Sequence, residues 1–298
     1  MKCFWLCCCL IGSVFAQEWQ DLWPEGQVPG GAKITGKEAE EKGWRSGTIE
    51  KPQIQVYQPE KANDSGVSVL VVPGGGYGGL AMGHEGREVA AWLNKRGYGA
   101  VVLKYRVSQD ARAGYHFPVP QMDARRAVRT MRAKAGEWGI AAEKVGVIGF
   151  SAGGHLTSCL ATQFEESYDL ETKDAIDGEN CRPDFVILCY PVISMGEKYC
   201  HEGSVRNLLG AEPSADLLAR NNTAKRVTEK TPPVFIVHAA NDRPVPLRNS
   251  ADFMSACAEK GVPVRAAIFN DGGHGFGLRG KGDSAGWDLL LETWLAER

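Results

Sequence analysis

The chain has 298 residues, 43% of them hydrophobic, and its 34 lysines and arginines against 36 aspartates and glutamates give a formal charge of −2. This length and apolar content fit one large α/β domain, or two small ones, with a sizeable core. The balanced charge and the lack of a long basic run argue against nucleic acid or a membrane surface as a partner.

The first 16 residues have the pattern of a secretory signal peptide. Lys2 supplies a positive start, residues 4–15 form an apolar run, and Ala16 offers a small residue before a cleavage point at Gln17. The run is too short to span a bilayer. We therefore predict an exported protein, secreted or periplasmic, without a membrane span.

Residues 17–50 are polar, irregular and rich in glycine and proline. They also contain three tryptophans: Trp19, Trp23 and Trp44. Such large apolar side chains predict an extension that packs on the surface of the domain rather than a free tail. The predicted organisation is a signal peptide (1–16), an N-terminal extension (17–50) and a catalytic domain (51–298).

Five cysteines follow the predicted signal peptide: Cys159, Cys181, Cys189, Cys200 and Cys257. An odd number leaves at least one of them unpaired. Cys181 and Cys200 flank a predicted strand and its following loop, and the sequence leaves open whether they form a disulfide. No CxxC motif or His/Cys cluster indicates a metal, and we predict neither a metal nor a cofactor.

From residue 54 onward, strand-like and helix-like segments alternate. Seven strands are predicted, at 54–57, 67–72, 99–105, 145–149, 185–190, 234–238 and 264–269. Helices are predicted at 85–96, 123–138, 156–164, 250–260 and 287–297. This alternation of apolar strands with helices predicts an α/β fold with a mostly parallel central sheet and helices on both faces. Ligands of such sheets bind beyond the carboxyl ends of the strands.

A candidate nucleophile follows the fourth predicted strand. Ser151 lies in Gly149-Phe150-Ser151-Ala152-Gly153, between that strand and the helix predicted at 156–164. This is the layout of a nucleophile elbow, which exposes a serine hydroxyl above a sheet. In a chain with 36 glycines the pattern also arises by chance, and a serine that caps a helix would look the same. The interpretation therefore depends on partner residues elsewhere.

A serine hydroxyl needs a base to take its proton and an acid to orient that base, in the chain order Ser, Asp or Glu, His for this topology. Asp242 directly follows the sixth predicted strand, and His274 follows the seventh between flanking glycines. Considered singly, Asp242 fits a turn-capping residue better than an orienting acid, and His274 also fits an ordinary loop histidine. The rival acid Asp252 lies within a predicted helix.

A glycine-rich segment, Pro73-Gly74-Gly75-Gly76-Tyr77, follows the second predicted strand. Glycines let backbone N–H groups approach a developing oxyanion closely. The predicted donors are Gly75, Gly76 and Ala152, the residue after the nucleophile. A phosphate-binding loop is the alternative, but no Lys-Ser or Lys-Thr follows these glycines.

Six segments carry a combined resemblance: Pro-Gly-Gly-Gly-Tyr at 73–77, His-Glu-Gly at 84–86, Leu-Lys-Tyr-Arg at 103–106, Gly-Phe-Ser-Ala-Gly-Gly-His at 149–155, Asn-Asp-Arg-Pro-Val-Pro at 241–246 and Gly-Gly-His-Gly-Phe at 272–276. From about residue 20 to its end the chain resembles the secreted acetyl esterase/lipase group of α/β-hydrolases. That group includes acetyl-xylan and feruloyl esterases related to the hormone-sensitive-lipase-like enzymes.

The resemblance implies an α/β-hydrolase fold with Ser151, Asp242 and His274 as the catalytic triad. It also implies a serine esterase that needs no cofactor and hydrolyses short-acyl esters, on plant-polysaccharide carbohydrate such as xylan. In one respect the chain departs from the group. Many relatives have histidine where Pro73 stands, and because proline has no hydrogen-bonding side chain, the glycine loop must be supported differently.

The segment 191–231 is not markedly apolar, which favours an open pocket and a small acyl group such as acetate over a lid for long acyl chains. Two interpretations stay open for His84-Glu85. The pair lines the pocket, or Glu85 is simply a favourable negative charge at the N-terminus of a helix. Three tyrosines either stack on the substrate or pack in the core: Tyr77, Tyr105 and Tyr115.

Two other functions are compatible with the fold: an exported serine peptidase, and a catalytically inactive hydrolase fold that serves as a binding module. The complete Ser, Asp and His set argues against the inactive binding module. The sequence does not determine the leaving alcohol, the acyl preference or the oligomeric state.

Overall fold

The computed structural model describes residues 15–30, 39–46, 48–107, 115–168 and 174–298. At its centre lies a nine-stranded sheet. Its strands are β1 (Phe15–Ala16), β2 (Gln20–Asp21), β5 (Gln53–Gln58), β6 (Ser68–Val72), β7 (Gly99–Lys104), β8 (Val145–Phe150), β9 (Phe185–Cys189), β10 (Val234–Ala239) and β11 (Val264–Phe269). A separate hairpin consists of β3 (Ala39–Glu41) and β4 (Trp44–Ser46).

The strand order is β1-β5-β7-β6-β8-β9-β10-β11, and β2 also pairs with β5. All pairs from β7 to β11 are parallel, whereas β5 runs antiparallel to β7. The predicted mostly parallel sheet is therefore confirmed. Every residue of β6 to β10 is buried, which requires cover on both faces of the sheet.

Eight α-helices cover the sheet: α1 (Glu88–Lys95), α2 (Val119–Ala133), α3 (Ala135–Trp138), α4 (Ala152–Thr162), α5 (Glu202–Leu209), α6 (Ala215–Arg220), α7 (Arg248–Glu259) and α8 (Trp287–Leu295), all within the described residues. The helix predicted at 123–138 begins four residues earlier and breaks at Lys134. Pro120 falls in its first turn, where a missing N–H costs no intrahelical hydrogen bond. The helix predicted at 85–96 opens with a π-helical turn, Gly83–Arg87.

A buried ion pair ties the N-terminal extension to the core. Arg106 and Asp123 are both fully buried, and the Arg106 Nη2 lies 2.7 Å from Asp123 Oδ1. The indole of Trp23 donates to the same oxygen at 2.9 Å, and Arg106 also donates to the Pro29 carbonyl at 2.6 Å. The Trp23 side chain is only 3% exposed and therefore packs against the domain, whereas Trp44 is exposed.

We expect Asp123→Ala to lower the free energy of unfolding by about 3–5 kcal/mol, because it leaves the buried Arg106 guanidinium without its counter-charge. Urea denaturation followed by circular dichroism measures this loss. Asp64→Ala, which removes an exposed carboxylate, is the matched control and should stay within about 0.5 kcal/mol of the parent. Equal stabilities of the two variants would contradict this view of the ion pair.

All five cysteines that follow residue 16 are free thiols, so Cys181 and Cys200 do not form a disulfide. Residues 1–14 of the predicted signal peptide lie outside the described residues, and its last two residues form β1. Within the described ranges, no helix combines the length and the apolar character needed to cross a membrane.

Candidate active site

Ser151 occupies a sharp turn between β8 and α4. Its backbone has φ +53° and ψ −118°, an unfavourable conformation for a residue with a side chain, and its N–H donates to the Cys189 carbonyl at 2.9 Å. The turn brings α4 against the neighbouring strand so closely that a Cβ on Gly153 would lie 2.3 Å from the Val72 carbonyl oxygen. Glycine at 153 is therefore required, and Ser151 stands at the carboxyl edge of the sheet.

The structure brings the three predicted side chains together. The Ser151 Oγ lies 2.8 Å from His274 Nε2, and His274 Nδ1 lies 2.7 Å from Asp242 Oδ2. Because a carboxylate only accepts hydrogen bonds, Nδ1 carries the proton and Nε2 accepts from the serine hydroxyl. The rival acid Asp252 instead pairs with Arg248 on its own helix.

Asp242 is a buried carboxylate that accepts several hydrogen bonds. Burial alone would raise its pKa, but hydrogen bonds from His238, His274 and the Val245 N–H outweigh burial and lower the pKa to about 2. The Nε2 of His238, itself fully buried, lies 3.3 Å from Asp242 Oδ2. The carboxylate therefore stays ionised near neutral pH and holds the His274 ring in one orientation.

The loop that carries His274 is fixed on both sides of the histidine. The Gly273 N–H donates to Asn241 Oδ1 at 2.8 Å, and the Gly277 N–H donates to the Tyr190 hydroxyl at 2.8 Å. The indole of Trp287 donates to the Gly277 carbonyl at 2.9 Å. These bonds hold the imidazole in place before a substrate arrives.

Three backbone N–H groups beside Ser151 have no hydrogen-bond partner in the described part of the chain: those of Gly75, Gly76 and Ala152. Gly75 has φ +139°, and a Cβ there would lie 2.0 Å from the Gly79 carbonyl oxygen, so only glycine fits this turn. Unpaired N–H groups next to a serine hydroxyl can stabilise a negative oxygen that forms there.

These groups open into a cleft of about 610 Å³. The cleft is lined by Trp44, Gly75, Gly76, Gly78, Ala81, His84, Glu85, Ser151, His201, Gly203, Arg206, Asn207, His274 and Gly275. The predicted segment 191–231 supplies one wall through the polar side of α5. In the described chain no cluster of His, Cys, Asp and Glu could hold a metal ion.

None of the three candidate stacking tyrosines reaches this cleft. Tyr77, Tyr105 and Tyr115 are all buried, and the Tyr77 hydroxyl donates to Nδ1 of the buried His155 at 2.7 Å. A stacking role for them is therefore wrong, and core packing is confirmed. The exposed aromatic ring in the cleft belongs to Trp44, which is 41% exposed.

A family model, BD-FAE, matches residues 54–257, which contain Ser151 and Asp242. The chain belongs to the BD-FAE family.

The chain is also similar to one curated protein and two solved structures. An acetylxylan esterase of Xylanibacter ruminicola is 38% identical over 232 residues, 76% of this chain and 44% of that protein. The acetyl ester-xyloside bifunctional hydrolase of Caldicellulosiruptor lactoaceticus is 35% identical, with a TM-score of 0.79 over 96% of this chain and 98% of that one. An alpha/beta hydrolase from a Medee basin deep-sea metagenome library is 25% identical, with a TM-score of 0.63 over 88% and 97% of the two chains.

These similarities confirm the α/β-hydrolase fold. The chain spans less than half the length of two of its curated relatives, the acetylxylan esterase and an endo-1,4-beta-xylanase B of Butyrivibrio fibrisolvens.

In this BD-FAE member, Glu85 and Tyr105 support the glycine loop that begins with Pro73. Glu85 is only 3% exposed, and its Oε2 accepts the Gly74 N–H at 2.9 Å. The Tyr105 hydroxyl donates to the Pro73 carbonyl at 2.8 Å. Because Pro73 has no hydrogen-bonding side chain, the loop needs another support, and these two side chains provide it. Glu85 therefore serves the loop, although one edge of it also lines the cleft.

Tyr190, which no sequence motif indicated, joins the glycine loop to the histidine loop, the loop that carries His274. Its hydroxyl donates to Glu85 Oε1 at 2.8 Å and accepts the Gly277 N–H, while its ring packs 5.1 Å from the His274 ring, centroid to centroid. Burial and the nearby Glu85 raise the pKa of Tyr190 well above its usual range, so the phenol keeps its proton. The sequence signal for Tyr190 is its position at the carboxyl end of the strand predicted at 185–190, at the edge of the sheet where ligands bind.

We expect Tyr190→Phe to lower kcat about 10-fold or more with a smaller change in KM, because Glu85 and the Gly277 N–H both lose a buried partner. Kinetics with 4-nitrophenyl acetate, alongside thermal unfolding, measure the effect. Tyr98→Phe is the control, since Tyr98 is also buried but lies outside the cleft. A Tyr190→Phe variant with the parent kcat would show that the bridge has no role in positioning.

Proposed function

We propose that the protein is an exported serine esterase that hydrolyses short-acyl, acetyl-type esters on plant-polysaccharide carbohydrate such as xylan. The hydrogen-bonded chain from Ser151 through His274 to Asp242, beside three unpaired N–H groups, carries the proposal. The names of two relatives, an acetylxylan esterase and an acetyl ester-xyloside hydrolase, support the substrate class.

In the proposed mechanism, Ser151 Oγ attacks the ester carbonyl carbon while His274 Nε2 takes its proton. The carbonyl oxygen becomes negative and accepts hydrogen bonds from Gly75, Gly76 and Ala152. The tetrahedral intermediate then expels the alcohol, which leaves with the proton from His274. Water attacks the acyl-enzyme in the same way and releases the carboxylic acid and the free serine.

The cleft supports a small acyl group. None of the three apolar residues of α5 lines the cleft: Leu208 and Leu209 are buried in the core, and Val205 packs against it. The cleft wall that α5 provides is instead polar, with His201, Arg206 and Asn207. A long hydrocarbon chain would find little apolar surface there, whereas an acetyl group needs almost none.

The test measures release of acetate from acetylated xylan, release of ferulate from feruloylated xylan, and cleavage of peptide amides. We expect acetate release to be fastest. Cleavage of amides without hydrolysis of esters would indicate a serine peptidase of the same fold. A folded protein that cleaves none of them would indicate a binding module. Gln17 as the first residue of the protein recovered from the culture medium or periplasm would support export.

A further inference from the structure

The wall of the cleft formed by α5 carries two hydrogen-bond donors that the fold does not use. Arg206 is exposed and makes no ion pair or hydrogen bond through its side chain in the described part of the chain, and Nε2 of His201 likewise has no partner there. Both residues line the cleft that contains Ser151. Unpaired donors inside a substrate cleft are available to a ligand.

The position of these donors is fixed by the fold. The Asn207 side chain donates to the Gly76 carbonyl at 2.9 Å, which attaches α5 directly to the glycine loop. The Phe117 N–H donates to the Leu208 carbonyl at 2.8 Å and holds the helix from behind. Arg206 therefore projects from a well-anchored helix into the cleft that also contains Ser151.

His201 presents a neutral donor rather than a second charge. Its Nδ1 accepts the Ser204 N–H at 3.2 Å, which leaves the proton of the neutral ring on Nε2. Burial, together with the nearby His274, lowers the pKa of His201. The positive charge of this wall thus comes from Arg206.

Among the described residues that line the cleft, no accessible carboxylate competes for this charge. Glu85 is the one acidic residue among the described lining residues, and it is buried with both oxygens engaged by Gly74 and Tyr190. Among the described lining residues, an anion therefore meets the charge of Arg206 and several neutral donors, and the one negative group, Glu85, is buried behind its own hydrogen bonds. Such an arrangement favours an anionic substrate over a neutral one of the same shape.

We infer that the cleft binds an ester substrate that carries a carboxylate, which pairs with Arg206 and accepts from His201. This inference rests on the proposed function. If the acyl group is acetyl, it contains no second carboxylate, so the negative group must belong to the alcohol part. The substrate class is then an acetylated oligosaccharide that bears a uronic acid.

The experiment compares acetylated xylo-oligosaccharides that bear a uronic acid with the same preparation after its uronic acid is reduced to the neutral sugar. We expect kcat/KM to be about 5–10-fold higher for the acidic substrate. Arg206→Gln should reduce this ratio to about 1–2, and Arg206→Lys should retain part of it. Added salt at about 0.5 M should reduce the ratio in the parent protein.

Lys260→Gln is the matched control, because it removes one exposed positive charge outside the cleft and should keep the ratio of the parent. The inference would be overturned if the parent kcat/KM ratio of acidic to neutral substrate were 1 or below. It would also be overturned if Arg206→Gln and Lys260→Gln lowered this ratio equally.

Binding of the two oligosaccharides to Ser151→Ala, measured by calorimetry, separates this inference from the proposed function. If the parent protein releases acetate from both substrates without preference, the esterase proposal stays intact and the carboxylate subsite is overturned. If Ser151→Ala binds the acidic oligosaccharide more tightly but the parent protein releases acetate from neither substrate, the subsite is supported and the esterase is contradicted.

Discussion

Replacing Ser151 with alanine is expected to lower kcat for ester hydrolysis by at least about 10⁴-fold. The substitution removes the Oγ that lies 2.8 Å from His274 Nε2, so no acyl-enzyme forms. The unpaired N–H groups of Gly75, Gly76 and Ala152 remain and should sustain only a weak residual rate. The measurement is steady-state hydrolysis of 4-nitrophenyl acetate and of acetylated xylo-oligosaccharides.

The stability of this variant should stay close to that of the parent, because Ser151 is held mainly through its backbone, by the bond from its N–H to the Cys189 carbonyl. Thermal unfolding checks this expectation. Ser255→Ala, which removes an exposed hydroxyl on α7, is the control for the chemical change itself. Equal hydrolysis rates for the parent and Ser151→Ala would remove Ser151 from the mechanism.

Asp242→Asn is expected to lower kcat about 10³–10⁴-fold. Asp242 accepts hydrogen bonds from Val245, His238 and His274, and a neutral amide offers only one acceptor oxygen to these donors. The NH₂ group of the asparagine would face at least one of these donors and could not accept its hydrogen bond. The His274 ring would then lose its orientation and the charge that stabilises it when it takes the serine proton.

Asp252→Asn provides the comparison, because Asp252 is the other acid that the sequence offered and it pairs with Arg248 instead. We expect its kcat to stay within about 3-fold of the parent. If Asp242→Asn kept more than a tenth of the parent kcat while Asp252→Asn lost most of it, the assignment of the orienting acid would be reversed.

The location of the candidate site could be predicted from the sequence for a topological reason. Ser151, Asp242 and His274 each follow a predicted strand, and the carboxyl ends of parallel strands lie at one edge of the sheet. The chain order of the three residues then indicated their roles. The glycines at 75 and 153 were equally informative, since a backbone that must pass close to another backbone excludes a side chain.

Local patterns were less reliable for the exact bounds of helices. The start of α2 at Val119 lies four residues before the predicted start, because Pro120 was not counted as a first-turn residue. A disulfide between Cys181 and Cys200 also could not be decided from their positions, since pairing depends on the distance between two loops.

By itself, the sequence determined the α/β class, the seven main strands of the sheet and the three residues at its edge, because each of these depends on local periodicity and short motifs. Only the tertiary structure showed that Glu85 and Tyr190 link the glycine loop to the histidine loop, and that α5 places Arg206 in the cleft. Such contacts join residues about 100 positions apart, as the hydrogen bond from Tyr190 to Glu85 does. They are set by the packing of helices and loops around the sheet, which no local pattern encodes.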